Sequence, residues 1–255
     1  MYRVVIITDC VDVAYSEMRG AILSQVNVPV EIEPLISVKP YSIINAAFLT
    51  RLVADSYPLG TVLFTVVSPG GPAQSRPTSV VGRTKSGHVF IGPDLGGFSW
   101  IAKDLQIASL HRVKRPALSF ATFGAKYFVA PSVAALLNSN LEPDSICDMV
   151  LSDVSHVDIP DGTVVHIDNF GNIKLKGPCP DYAEGQKLII TVAHTNKKYE
   201  ARFGRRFMDF HDLSLIVSAG SSLYGLPEVA LTRGNAALNL GVDVGDKILL
   251  EMVPA

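Results

Sequence analysis

The sequence predicts an α/β N-terminal domain with a largely parallel sheet, followed by a smaller all-β, barrel-like C-terminal domain. Three observations carry this expectation. The first half alternates apolar runs of strand length with segments whose apolar residues recur at helical spacing, the pattern of a sheet covered by helices. Near Ser152 to Gly162 the residues Asp, Ser, Pro and Gly collect, and short strand-like runs take over beyond them. A chain of 255 residues also has room for two ordinary domains. The expected units are residues 1–152 and 153–255.

Val4 to Ile7 reads as a buried strand, and a helix follows over Ser16 to Gln25, with Met18, Ala21, Ile22 and Gln25 on one face. Val30 to Ile36 makes a second strand. Pro40-Tyr41-Ser42 then opens a helix over Ile43 to Ser56, whose Ala46, Ala47, Leu49, Leu52 and Val53 face the sheet. After the central strand from Thr61 to Ser68, Ser79 to Arg83 and His88 to Gly92 form a hairpin about Lys85-Ser86-Gly87. A turn from Gly92 to Ser99 feeds a short helix through Trp100 to Leu105. The segment around His111 to Arg115 has a weaker pattern. Phe123 to Leu137 reads as a helix that Pro131 must start, kink or break. In the second half, seven runs are strand-like: Thr163 to Asp168, Ile173 to Lys176, Lys187 to His194, Lys198 to Phe203, Leu213 to Ala219, Glu228 to Thr232 and Lys247 to Met252. Short strands with almost no helical pattern predict a small barrel or sandwich.

Composition narrows the function. A formal charge of −2 gives neither a basic stripe for nucleic acid nor an acidic tail, so the expected ligand is small and compact. Cys10, Cys147 and Cys179 are far apart with no Cys-x-x-Cys spacing for zinc, which suits a reduced cytoplasm. The N-terminus enters a strand directly, and no stretch reaches the roughly 18 apolar residues of a membrane span, so neither secretion nor membrane insertion is expected.

The chemistry is expected in the stretch Thr61 to Pro77. A β-branched strand stops there at Ser68 and breaks into Pro69-Gly70-Gly71-Pro72, which can continue neither helix nor strand and lets backbone N–H groups approach a ligand. In open α/β sheets ligands sit beyond the carboxyl ends of such strands. An ordinary strand-to-helix turn would have the same composition. Asp9, just past the first strand, is likewise open to two readings: a helix cap, or a carboxylate accepting from a pair of ligand hydroxyls.

Several short signatures in one order then resemble the S-adenosylmethionine hydroxide adenosyltransferases and their fluorinase and chlorinase relatives. Thr8-Asp9 with Met18-Arg19-Gly20, Pro40-Tyr41 with Ala46-Ala47-Phe48-Leu49, and Gly92-Pro93-Asp94 with Gly96 and Ser99 resemble motifs of that family. Ile167-Asp168-Asn169-Phe170-Gly171-Asn172 is the most specific, and Glu228-Val229-Ala230, Gly234-Asn235-Ala236-Ala237 and Gly245-Asp246 complete the set. The resemblance covers nearly the whole chain. It implies a homotrimer with sites between subunits, S-adenosylmethionine or adenosine as ligand, displacement at the ribose C5′ carbon, and neither a metal nor a cofactor beyond the substrate. It further implies that Asp9 holds the ribose diol, that Tyr41 packs on the sugar or adenine edge, and that Phe123 is a further substrate contact. By the same likeness Phe170 stacks on adenine, Asn172 hydrogen-bonds it, Asn235 and Ala236 add contacts, Asp168 binds the methionine amino group, and Ser222 and Tyr224 lie near the methionine carboxylate.

The departures fall on the groups that activate water in hydroxide-transferring members. Ser68 stands where the family carries Asp, Ser75 where it carries Arg, and Gly124, followed by Ala125 and Lys126, where it carries His. The resemblance therefore implies cleavage of S-adenosylmethionine by water or hydroxide, or by halide, through an altered nucleophile site. The alternative it leaves is a homologue that binds the nucleoside without reacting it.

Overall fold

A computed structural model describes residues 1–68, 77–114, 123–223 and 225–253. The chain divides into two compact units, Met1–Val157 and Asp158–Ala255.

The first unit opens with β1 (Tyr2–Thr8), α1 (Val13–Leu23), β2 (Val30–Ile32), β3 (Ile36–Ser37), α2 (Ile43–Ser56) and β4 (Val62–Val66). It continues with β5 (Ser79–Thr84), β6 (Val89–Pro93), α3 (Ser99–Leu105), β7 (Ile107–Val113), α4 (Ala130–Asn138) and β8 (Cys147–Val150). The strands order as β2-β1-β4-β6-β5-β7-β8, with β3 also on β1. β1 pairs in parallel with β2, β3 and β4, and β4 pairs in parallel with β6. The β5–β6 hairpin, β7 and β8 extend this parallel core in antiparallel fashion. Helices α1 and α4 bury Met18, Ile22, Val133 and Leu137 against Val4, Ile6 and Phe64. Thr65 points to the opposite face, where its hydroxyl meets that of Thr50 on α2 at 2.9 Å.

Several elements differ from the sequence expectation. Helix α1 starts at Val13, ahead of the expected Ser16. The strand expected over Val30 to Ile36 splits into β2 and β3, because Pro34 between them has no N–H to donate to the ladder. The helix expected from Phe123 begins as a π-helical turn, Ala125–Val129, which runs on without a break into α4, and Pro131 falls just after the change of register. The weak segment near His111 is the regular strand β7, and β8 was not anticipated. The first unit runs past Ser152 to Val157 because of the Gly92–Ser99 motif. The Asp94 carboxylate accepts from the Ser155 amide at 2.8 and 3.0 Å, and the Val157 amide donates to Ser99 Oγ at 2.9 Å.

The second unit contains β9 (Val164–Ile167), β10 (Ile173–Leu175), β11 (Lys187–Val192), β12 (Lys197–Phe203), β13 (Leu215–Ala219), β14 (Pro227–Leu231), α5 (Ala236–Leu240) and β15 (Ile248–Met252). The seven strands order as β15-β11-β12-β13-β14-β10-β9, all pairings antiparallel except β12–β13. The edge strands approach each other: Thr163 and Lys247 form a bridge, Val164 N–H donates to Asp246 O at 2.8 Å, and Ile248 N–H donates to Gly162 O at 2.9 Å. The sheet thus curls around a core of Ile173, Leu188, Ile190, Val217 and Val229.

Candidate active site

In the first unit β1 leads through α1 to β2 on one side, while β4 on its other side is followed in the sheet by β6. The carboxyl ends of β1 and β4 therefore flank a topological switch point, the usual ligand crevice of an open α/β sheet. Asp9 and Ser68 stand at these two ends. The Ser68 amide donates to Asp9 Oδ1 and Oδ2 at 3.0 and 3.2 Å, and the Tyr41 amide donates to Oδ2 at 2.9 Å. Asp9 does not cap α1. The residue before that helix is Asp12, whose side chain makes no capping bond. Tyr41 reaches its position with φ of 63°, unusual for a bulky residue, and its ring is 64 % exposed. Sequence reasoning gave no role to Cys10, yet its Sγ lies 3.6 Å from Asp9 Oδ1 and 3.7 Å from Ser68 Oγ.

The stretch that the resemblance sets against a histidine motif, Gly124 to Lys126, leads into the π-helical turn, a form that recurs at functional sites. Phe123 precedes it and is half-buried against the first core. Gly124 starts the turn in ordinary helical backbone, with open space where a Cβ would stand. Ala125 is buried. Lys126 Nζ is held by Glu17 Oε1 of α1 at 2.6 Å and lies 4.8 Å from the Tyr127 ring. Its hydrogen bond to Glu17 raises the ammonium above its ordinary pKa, which keeps it charged. Ser75 lies outside the described residues.

In the second unit the β9–β10 connection is a hairpin loop built by its own aspartate. Asp168 Oδ1 accepts from the amides of Phe170 and Asn172 at 2.9 and 3.0 Å, and Oδ2 accepts from Asn172 Nδ2 at 3.1 Å. Such side-chain bonds to nearby amides replace a backbone turn. Gly171 has φ of 84°, and a Cβ there would stand 2.1 Å from the Asn235 side chain, so only glycine lets the two segments meet. Asn235 in turn caps α5, its Oδ1 accepting from the Leu238 amide at 2.8 Å, and the Ala237 amide donates to Gly171 O at 3.0 Å.

The outcome is a cavity of about 580 Å³ into which Phe170, Asn172 and Asn235 all open. Sequence reasoning missed its other walls, which include Phe207, Met208, Phe210, Thr232 and Arg233. Phe170 is 69 % exposed and Met208 is 87 % exposed, a surplus of bare apolar surface around this cavity. Ala236, the first residue of α5, is fully buried. Ser222 lies in the loop between β13 and β14, and Tyr224 of that loop is outside the described residues.

A switch-point crevice holding a fixed carboxylate, followed by a barrel unit holding an aromatic cavity, defines a two-unit small-molecule-binding protein. The profile of the SAM hydroxide adenosyltransferase N-terminal domain matches residues 4–147, and that of the C-terminal domain matches residues 162–249. The chain belongs to the SAM hydroxide adenosyltransferase family. It is 27 % identical over 222 residues to the (R)-S-adenosyl-L-methionine hydrolase of Methanocaldococcus jannaschii, covering 83 % of this chain and 79 % of that one. An uncharacterized conserved protein from Thermotoga maritima has the same fold, with a TM-score of 0.82 and 22 % identity over 97 % of this chain and 99 % of its own. So does a conserved hypothetical protein from Thermus thermophilus, with a TM-score of 0.74 and 20 % identity over 99 % of this chain and 100 % of its own. No helix among the described residues is long and apolar enough to cross a membrane.

Proposed function

We propose that this chain cleaves S-adenosylmethionine by attack of water or hydroxide on the ribose C5′ carbon. The new C5′–O bond forms as the C5′–S bond breaks, the electron pair stays on sulfur to give neutral L-methionine, the water proton goes to solvent, and adenosine is released. The observation that carries this reading is the Asp9 carboxylate, fixed by the Ser68 and Tyr41 amides at the switch point of a chain of this family. A carboxylate offers about four lone-pair sites. Two amides leave it capacity for the ribose diol.

The sulfonium is already a good leaving group, so the protein's task is to align nucleophile, carbon and sulfur and to exclude bulk water. No cofactor beyond the substrate is needed for that. Tyr41 covers the sugar, Phe123 adds a wall, Phe170 stacks on adenine, and Asn172 and Asn235 supply its polar edge, while the fully buried Ala236 packs behind them without touching the ligand. Asp168 holds the loop that presents Phe170, and the family resemblance gives Ser222 and Tyr224 the methionine end. The working form is a homotrimer in the cytoplasm, a neighbouring subunit completing each site. The relative named (R)-S-adenosyl-L-methionine hydrolase supports the substrate and the reaction.

The replacement of the family's Asp, Arg and His by Ser68, Ser75 and Gly124 favours two further readings. Halide attack needs no proton acceptor, and a non-catalytic nucleoside binder needs no nucleophile. Incubation of the purified protein with S-adenosylmethionine in chloride, fluoride and halide-free buffer, followed by chromatography and mass analysis, separates the three. Adenosine in the halide-free arm is the expected result. A halogenated nucleoside formed only with halide would replace water as the nucleophile, and saturable binding without turnover would leave a binder.

A further inference from the structure

One buried ion pair lies between the loops assigned to the ligand. Lys174 Nζ and Glu228 Oε2 are 2.7 Å apart, with side chains only 10 % and 8 % exposed. They face each other across β10 and β14, on the side of the sheet away from the core that holds Ile173, Leu175 and Val229. Lys174 is also opposite His166 on β9, one rung below the Ile167–Ile173 pair on which the Asp168–Asn172 loop stands. Glu228 is opposite Ser218 on β13, and beside it the Gly220 amide donates to Leu226 O at 2.8 Å. A Cβ on Gly220 would stand 2.6 Å from Glu228 Oε2 and 3.0 Å from Leu226 O, so Gly220 and Leu226 close directly on the carboxylate. Beyond Glu228 the same strand runs on to Ala230 and Leu231, and Thr232 follows its end, all in the cavity wall.

Taking two charges out of water costs free energy that their attraction repays only in part, and well-packed apolar pairs of similar volume usually serve stability as well or better. What an apolar pair lacks is direction. An ammonium and a carboxylate fix the spacing and angle of the strands that carry them. We propose that Lys174 and Glu228 are positioning residues for the nucleoside cavity, setting the Asp168–Asn172 loop against Gly220, Leu226 and the β14 wall. This rests on the reading of that cavity as the nucleoside site. The pair does not touch the ligand and acts through Asp168, Asn172 and Gly220.

The test compares the wild-type full-length protein with the double variant Lys174→Met/Glu228→Leu and with Lys174→Arg, which keeps the charge. Thermal melting, adenosine affinity by calorimetry, S-adenosylmethionine kinetics and hydrogen exchange at the Gly171 and Asn172 amides are measured on each. The double variant is expected to melt within a few degrees of wild type. Its adenosine Kd and KM rise about tenfold while kcat changes less than about twofold, the mark of lost binding geometry. The Gly171 and Asn172 amides exchange about tenfold faster as their loop loosens, and Lys174→Arg restores affinity and protection. Wild-type affinity in the double variant would overturn the proposal, and so would a large drop in melting temperature, which would make the pair a stability element. Should the wild-type protein itself bind no adenosine and turn over no S-adenosylmethionine, the functional reading fails. The exchange rates then decide the inference alone: unchanged protection refutes it and faster exchange upholds the coupling of pair and loop.

Discussion

The Ser68 amide, at the end of β4, donates to both carboxylate oxygens of Asp9, at the end of β1, at 3.0 and 3.2 Å. The same carboxylate takes the Tyr41 amide, so one side chain gathers three chain segments around the switch point. Hydrogen bonds to a charged acceptor each contribute about 1.5–3 kcal/mol, and leaving such donors unpaired costs about 1–3 kcal/mol. Asp9→Asn keeps the shape but turns one acceptor oxygen into a donor that faces these amides. Adenosine affinity should fall at least about tenfold, with a lowered melting temperature. Calorimetry and thermal melting check both, and unchanged affinity would remove Asp9 from the ribose site.

Phe170 is 69 % exposed at the tip of a loop whose backbone is held by Asp168. Removing its ring leaves those bonds intact, so Phe170→Ala should change stability by no more than about 0.5 kcal/mol. Loss of a base-stacking surface should weaken adenosine binding by about 1–3 kcal/mol. A calorimetric Kd equal to that of wild type would show that the ring does not stack on the base.

What was legible in the sequence follows from how local the signal is. Ile43–Ser56 reads correctly at both ends, because Ser42 caps it through the Asn45 amide and the apolar period is unbroken. The seven barrel strands read through their short apolar runs and turns. Strand β8 does not, since Asp148, Met149 and Val150 are exposed and the strand exists only through its pairing with β7. The π-helical turn at Ala125–Val129 is a matter of backbone hydrogen-bond register that no residue type announces. At the site, Phe170, Asn172 and Asn235 were named together and open into one cavity. Phe207, Met208 and Phe210 were missed because no motif marks their turn segment and only the fold brings it beside Phe170. Cys10 was missed because its nearness to Ser68 depends on two strands being neighbours.

Restoring the family's water-activating set is expected to raise hydroxide transfer. At Gly124 the backbone is helical and a Cβ meets nothing within 4 Å, so Gly124→His adds an imidazole without local strain. Ser68→Asp alone puts a second carboxylate beside Asp9, and the like charges disfavour each other's ionised form. The resemblance pairs an arginine with that aspartate, and Ser75→Arg supplies it. The triple variant should therefore exceed Ser68→Asp in adenosine formation from S-adenosylmethionine, by about 10²–10⁴-fold if general base catalysis is fully regained. A triple variant that binds ligand and forms adenosine no faster than wild type would refute the positional correspondence.

Stability should fall as pH drops below about 6.5, the ordinary histidine value. His88 is 6 % exposed, and its Nδ1 has no hydrogen-bond partner among the described residues. Burial pushes its imidazole below the usual pKa, with Arg51 adding to the effect and Asp55 opposing it. His166 is lowered by burial first and by Lys174 second, against Asp168. Above pH 6.5 both are neutral in the folded and unfolded chains, and their contribution is fully present. As pH falls through the unfolded value, the unfolded chain takes up protons that the folded one refuses, so its population rises. Each imidazole can add a slope of up to about 1.4 kcal/mol per pH unit in that window. Urea unfolding between pH 8 and pH 5 should show a shallower decline in His88→Gln than in wild type. Parallel declines would mean that His88 takes its proton without opening the fold. In Lys174→Met/Glu228→Leu the loss of the neighbouring ammonium should raise the His166 pKa. Imidazole resonances titrating at the wild-type pH would separate His166 from the ion pair that faces it.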